Sequence, residues 1–110
     1  MNKAYYSAVV TDFITEDSDS VYGKISGNFD LNNQAIQQSN AWKNQIRILK
    51  DALKSFHGKI YFEFTIPRMG KRVDNILIID NCIFIIEFKG VKIYSKSYLS
   101  RLLTIIYFCF

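Results

Sequence analysis

Arg72-Val73-Asp74-Asn75-Ile76-Leu77-Ile78-Ile79-Asp80-Asn81-Cys82-Ile83-Phe84-Ile85-Ile86-Glu87-Phe88-Lys89 holds two β-branched runs broken only by Asp80-Asn81, the composition of a hairpin turn. With those two residues as the loop, Ile79 pairs with Cys82. Counting outward along both strands sets Asp74 opposite Glu87 and Arg72 opposite Lys89, and period-two alternation puts Lys89 on the face of Glu87. Directly opposed residues carry Cβ atoms roughly 4.5 to 5.5 Å apart, near enough for two carboxylates to hold one divalent cation. Without a cation the two acids repel each other.

Both faces of this hairpin are apolar: Ile76, Ile78, Ile83 and Ile85 on one, Leu77, Ile79, Phe84 and Ile86 on the other. That pattern predicts central strands covered on both sides. Like charges at the partly buried end of such a pair raise a carboxyl pKa or require a counter-ion, which Lys89, Arg72 or a metal can supply. A plain salt-bridge cluster at a strand end is the alternative, and spacing alone does not choose between them.

Outward from the hairpin, Lys59 to Ile66 alternates Ile60, Phe62, Phe64 and Ile66 against Tyr61, Glu63 and Thr65, a further strand that Pro67 ends. The loop that follows carries Arg68, Lys71 and Arg72 around Gly70. This cation cluster suits phosphate contact, or charge balance for Asp74 and Glu87. Upstream, Gln34 to Phe56 spaces Trp42, Ile46, Leu49, Leu53 and Phe56 as one helical stripe, and His57-Gly58 reads as its stop, with His57 as a cap and not a base. Lys43, Arg47, Lys50 and Lys54 form a neighbouring basic face, solvated or grazing a phosphate backbone. Ala4 to Ile14 has helical spacing at Tyr5, Ala8, Val9 and Phe13. Ser18-Asp19-Ser20 can cap a second short helix running to Ile25 and ending near Gly27, before the turn-like Asn28 to Asn33. Tyr5 and Tyr6 read as packing, since no basic residues alternate with them as a base-stacking platform would require.

A chain of 110 residues is one small domain, and 49% apolar with 15% aromatic content argues for a packed globule over disorder. The net charge of +4 misleads: residues 1–87 hold ten basic and ten acidic side chains, and the excess comes from Lys89, Lys92, Lys96 and Arg101. Basicity is therefore no general argument for nucleic-acid binding. Cys82 and Cys109 follow no metal-ligand spacing and suggest no disulfide framework, which fits a reducing cytoplasm. The N-terminus lacks the pattern of a secretion signal. The nine residues from Leu102 to Phe110 fall short of the roughly 20 that a membrane helix needs.

Ile66-Pro67-Arg68-Met69-Gly70-Lys71-Arg72-Val73-Asp74, followed by Ile83-Phe84-Ile85-Ile86-Glu87-Phe88-Lys89, resembles the PD-(D/E)xK nuclease superfamily. The likeness is to the N-terminal nuclease-like domain of bacterial schlafen group-3-like DNA/RNA helicase proteins. It spans residues 4 to 90 and is strongest from Lys59 onward. The resemblance implies an α/β fold: a small mixed sheet with an antiparallel central hairpin flanked by helices, a restriction-endonuclease-like core with its C-terminal part incomplete. It implies metal-dependent phosphodiester hydrolysis, on DNA ahead of RNA. Asp74, Glu87 and the main-chain carbonyl of Phe88 would hold Mg2+ or Mn2+, Lys89 would position the attacking water, and Arg68, Lys71 and Arg72 would meet the substrate. A hard divalent ion suits such oxygen donors and lowers the pKa of bound water.

Two departures qualify this expectation. Active members often add an acid from the first core helix, where this chain offers the uncharged Gln45, and Glu63 substitutes only if its side chain faces Asp74. After Gly90 the resemblance stops. Relatives continue with a helix, a strand and a separate helicase domain, whereas residues 91–110 form a divergent, hydrophobic, acid-free tail. One permissible codon choice for Tyr98 to Ile105, read in a shifted frame, gives Leu-Glu-Gln-Val-Thr-Asp-Tyr, which resembles the missing helix. The expectation is a truncated or frameshifted gene whose product is an inactive nuclease domain or a non-catalytic nucleic-acid-binding remnant, with Leu99, Leu102, Leu103, Ile105, Ile106, Tyr107 and Phe108 packed non-natively or exposed.

Overall fold

The computed structural model describes residues 3–28, 35–88 and 103–110. The turn-like residues 29–34, Lys89, Gly90 and the tail as far as residue 102 lie outside the described residues, and Leu99 and Leu102 with them.

The chain forms β1 (Tyr6–Val9), α1 (Val10–Thr15), α2 (Ser18–Ser26), α3 (Ala35–Ala52), β2 (Lys59–Ile66), β3 (Lys71–Ile79), β4 (Cys82–Phe88) and β5 (Leu103–Cys109). The five strands lie in chain order in one sheet, each antiparallel to its neighbours. A mixed α/β fold is thus present, but among the described residues its sheet is wholly antiparallel and not mixed. The reason is connectivity: β2 to β4 are joined by short turns, which permit only antiparallel pairing.

The hairpin is as the β-branched runs predict. Ile79 pairs with Cys82 across Asp80-Asn81, and Asp80 takes the left-handed φ of 54° that closes so tight a loop. Alternation then sorts the side chains. Ile60, Phe62, Leu77 and Ile86 join Trp42, Ile46, Leu49 and Leu53 of the helical stripe in one core, with Val10, Phe13, Val21 and Ile25 from the short helices. Each of these is no more than 5% exposed, so every described helix serves the same side of the sheet. Ile76, Ile78, Ile83 and Ile85, on the other side, are only half-buried. The expected cover on both faces is absent among the described residues.

Three local readings change. Tyr6 to Val9 is a strand and not the start of a helix, because its backbone pairs with Lys59 to Phe62 at the sheet edge. That long-range ladder outweighs the helical spacing of its apolar residues. The cap of α2 is Asp17, whose carboxylate accepts from the backbone N–H groups of Asp19 and Ser20 at 3.1 and 3.3 Å. The third helix ends at Ala52, four residues early, and leaves Phe56 48% exposed. Gly58, expected as the helix stop, instead permits a close crossing. Its φ is 157°, and a Cβ there would sit 2.0 Å from the carbonyl oxygen of Ile78. Only glycine allows the chain to pass so near β3.

The largest correction concerns the tail and the cysteines. Leu103 to Cys109 is the fifth strand, paired with β4 from Cys82–Cys109 to Phe88–Leu103. Cys82 and Cys109, directly opposed with Cα atoms 4.0 Å apart, are disulfide-bonded. Two half-patterns far apart in sequence gave no hint of this pairing. No described helix is long and apolar enough to cross a membrane.

Candidate active site

The acids sit where β3 and β4 run out. A two-residue loop makes Ile79–Cys82 a hydrogen-bonded pair, so alternation makes the pairs at Leu77–Phe84 and Asn75–Ile86 hydrogen-bonded as well. One step beyond, where the paired ladder has ended, the same count sets Asp74 opposite Glu87. There the ladder gives way: the backbone N–H of Phe88 donates to Asp74 Oδ2 at 2.7 Å. A strand N–H that would ordinarily meet a carbonyl is thus held by a carboxylate.

Asp74 and Glu87 lie close enough for each to alter the other's proton affinity. Burial, then the Asp74 charge push Glu87 from the ordinary 4.5 up to about 7. Burial raises Asp74 too, against the opposing effect of the Phe88 N–H and of Glu87. Glu87 thus holds its proton to a higher pH than an ordinary carboxyl.

Glu63 supplies the third acid. The register places it opposite Asp74, but the β2–β3 pairing skips this position, since Glu63 takes a left-handed φ of 54°. Its residue is 8% exposed, and its Oε1 accepts the indole N–H of Trp42 at 2.9 Å. Burial raises its pKa most, the Trp42 hydrogen bond lowers it, Asp74 raises it and Arg72 lowers it. Glu63 therefore feels Asp74 electrostatically while being tethered to α3. Gln45, one helical turn after Trp42, is 3% exposed. Among the described residues neither its Oε1 nor Oδ1 of the fully buried Asn75 on β3 has a hydrogen-bond donor. The Asn75 side-chain amide donates to the Tyr61 carbonyl at 3.3 Å.

The basic residues divide. Arg68 (φ 69°), Lys71 and Arg72 are exposed around the turn between β2 and β3. Arg72 is held: its guanidinium donates to the Tyr5 hydroxyl and lies 4.9 Å from that ring's centroid. Tyr5 thus does more than pack, whereas Tyr6 packs as expected against Phe13 and Phe62, its hydroxyl donating to Glu16 at 2.6 Å. Most of the basic face of α3 is engaged within the protein. Lys43 lies over Tyr22, Lys50 donates to the carbonyls of Ile14 and Glu16, and Lys54 pairs with Asp51 at 3.1 Å. His57 is exposed.

Sequence reasoning missed Trp42, Asn75 and Tyr5. A signal existed for two of them: an indole in a core stripe needs an acceptor, and Asn75 is the one amide inside the β-branched run. As a metal site, the donor chemistry fits in restricted form. Two neighbouring carboxyl groups are hard oxygen donors, and a divalent cation bound between them would displace a proton held there. Among the described residues no three or more His, Cys, Asp or Glu side chains converge tightly enough to form a metal cluster by themselves. Lys89, expected beside Glu87, lies outside the described residues. No family model, curated protein or solved structure matches this chain.

Proposed function

We propose that the chain is a nuclease-type domain of the PD-(D/E)xK kind, built on a restriction-endonuclease-like core, whose reaction is metal-dependent hydrolysis of a phosphodiester in DNA, or secondarily RNA. The observation that carries the reading is the placing of two acids, Asp74 and Glu87, side by side at the open end of the hairpin. Two acids that resist simultaneous ionisation are a poor structural ion pair and a good cation seat. Asp74, Glu87 and the Phe88 carbonyl would hold Mg2+ or Mn2+, which when bound supplies Lewis acidity toward a phosphoryl oxygen and a lowered pKa for water. The protein's own part is positional. The Phe88 N–H fixes the Asp74 carboxylate, Glu63 adds negative potential from its tether on Trp42, and Lys89 is assigned the water. Arg68 and Lys71, exposed and outside the Lys24–Glu16 and Lys54–Asp51 ion pairs, are the phosphate contacts. Association with a helicase and a cytoplasmic setting belong to the same proposal, although a cross-strand disulfide is more at home in an oxidising compartment.

The test is supercoiled plasmid incubated with Mg2+ and wild type beside Asp74→Ala and Lys89→Ala. Nicking lost in both variants supports hydrolysis. Salt-sensitive binding without nicking supports the second reading, a binding module that uses the exposed Arg68–Arg72 turn and does not cut. Neither nicking nor binding refutes both.

A further inference from the structure

Among the described residues β5 is the terminal strand, with β4 on one side only. Phe110 N–H donates to the Asn81 carbonyl at 3.0 Å, which fixes the phase of the ladder. Thr104, Ile106 and Phe108 turn their backbone groups inward to β4, so Leu103, Ile105, Tyr107 and Cys109 present theirs on the open edge. Natural edges are protected by charge, proline or a bulge. From Leu102 to Phe110 there is no charged residue, no proline and no glycine. Ile105, Ile106, Tyr107, Phe108 and Phe110 are 50, 60, 64, 49 and 80% exposed. The Cys82–Cys109 disulfide and the Phe110 hydrogen bond pin the far end of this strand to the sheet.

We propose that β5 pairs antiparallel with β5 of a second copy across a twofold axis, joining two five-stranded sheets into one of ten. Such pairing satisfies the outward backbone groups of Leu103, Ile105, Tyr107 and Cys109 and brings the flanks of the exposed Ile105, Ile106, Tyr107 and Phe108 side chains against their counterparts. Geometry selects the register. Only with the axis at Ile106 do all four outward-facing residues find outward-facing partners: Leu103 with Cys109 and Ile105 with Tyr107 of the other copy, each twice. Ile106 then faces its own counterpart in a non-hydrogen-bonded pair, the closest approach in such a ladder. Because each copy spends its single open β5 edge, the assembly closes at two.

Sedimentation equilibrium of the oxidised full chain tests this, beside two variants. Wild type is expected as a dimer at micromolar concentration. Ile105→Pro removes an outward N–H while sparing the inward ladder, and is expected as a monomer whose Cys82 and Cys109 stay unreactive to thiol reagents. Ile106→Cys adds a single thiol opposite itself, and is expected to form a covalent dimer on mild oxidation faster than Val9→Cys at the opposite sheet edge. Monomeric wild type, open-ended assemblies, or an Ile106→Cys variant that crosslinks no faster than Val9→Cys would each overturn the proposal. Should Ile105→Pro unfold, the crosslinking comparison decides alone.

Discussion

Replacing Glu87 by glutamine tests the raised proton affinity of this carboxyl, since the amide keeps the side chain's size and cannot titrate. In the folded protein Glu87 titrates at about 7 instead of 4.5. A raised carboxyl pKa means that the native state binds more protons than the unfolded chain between those values, so stability falls as pH rises from 4.5 through 7. The opposite would hold for an acid with a lowered pKa. The full shift corresponds to a ceiling of about 3 kcal/mol. Glu87 sits half-open at a strand end, however, and solvent screening reduces the effect to on the order of 1 kcal/mol. For a domain near this size that is about 4 to 8 °C in Tm. The assay is thermal unfolding from pH 5 to pH 8. Wild type should lose those degrees across the range, while Glu87→Gln should match it at pH 5, exceed it at pH 8 and remain nearly flat between. Millimolar Mg2+ at pH 8 should restore the loss in wild type and leave the variant unchanged. Wild-type stability that rises from pH 5 to 8, or a variant that follows the wild-type slope, would refute the assignment of a raised Glu87 pKa.

Other outcomes follow from single contacts. Trp42→Phe keeps the packing but strands the buried Glu63 carboxylate without its indole donor, a loss of about 1 to 3 kcal/mol in urea denaturation; a neutral substitution would show that the tether is immaterial. Gly58→Ala drives a methyl group into the Ile78 carbonyl 2.0 Å away and should destabilise by at least about 2 kcal/mol, read from the same denaturation curves. Cys82→Ser, or reduction of wild type, opens a loop of 27-residue separation and should cost up to about 3.5 kcal/mol, with faster hydrogen exchange confined first to β5. Equal exchange in oxidised and reduced protein would count against the staple.

The hairpin was legible because its information is local. Two runs of β-branched residues and a two-residue break specify strand, turn and register together, and a one-residue slip would have reversed every side chain. The stripe from Trp42 to Leu53 was legible for the same reason. What the sequence concealed depends on partners far along the chain. Tyr6 to Val9 fits a helix when read alone and becomes a strand only beside Lys59 to Phe62. Cys82 and Cys109 look unrelated until β5 lies against β4, and the apolar tail looks homeless until it is an edge strand. Phe56 shows the converse: its spacing extends the stripe, yet the helix stops before it, because Gly58 must bring the chain against Ile78.

The acids illustrate how far register can be carried toward chemistry. Counting from Asp80-Asn81 was enough to bring Asp74 and Glu87 together, since alternation fixes both face and pairing class. It was not enough for Glu63. Strict alternation would leave that side chain in an ordinary ladder opposite Asp74, but a left-handed backbone angle breaks the pairing there and the carboxylate is tied to Trp42. A buried acid beside two others is costly unless it is bonded or protonated, and the indole N–H meets that need. Contacts within the protein likewise set Arg72 apart from its neighbours. Held by the Tyr5 hydroxyl and ring, it lowers the Glu63 pKa, whereas Arg68 and Lys71 stand exposed around the same turn.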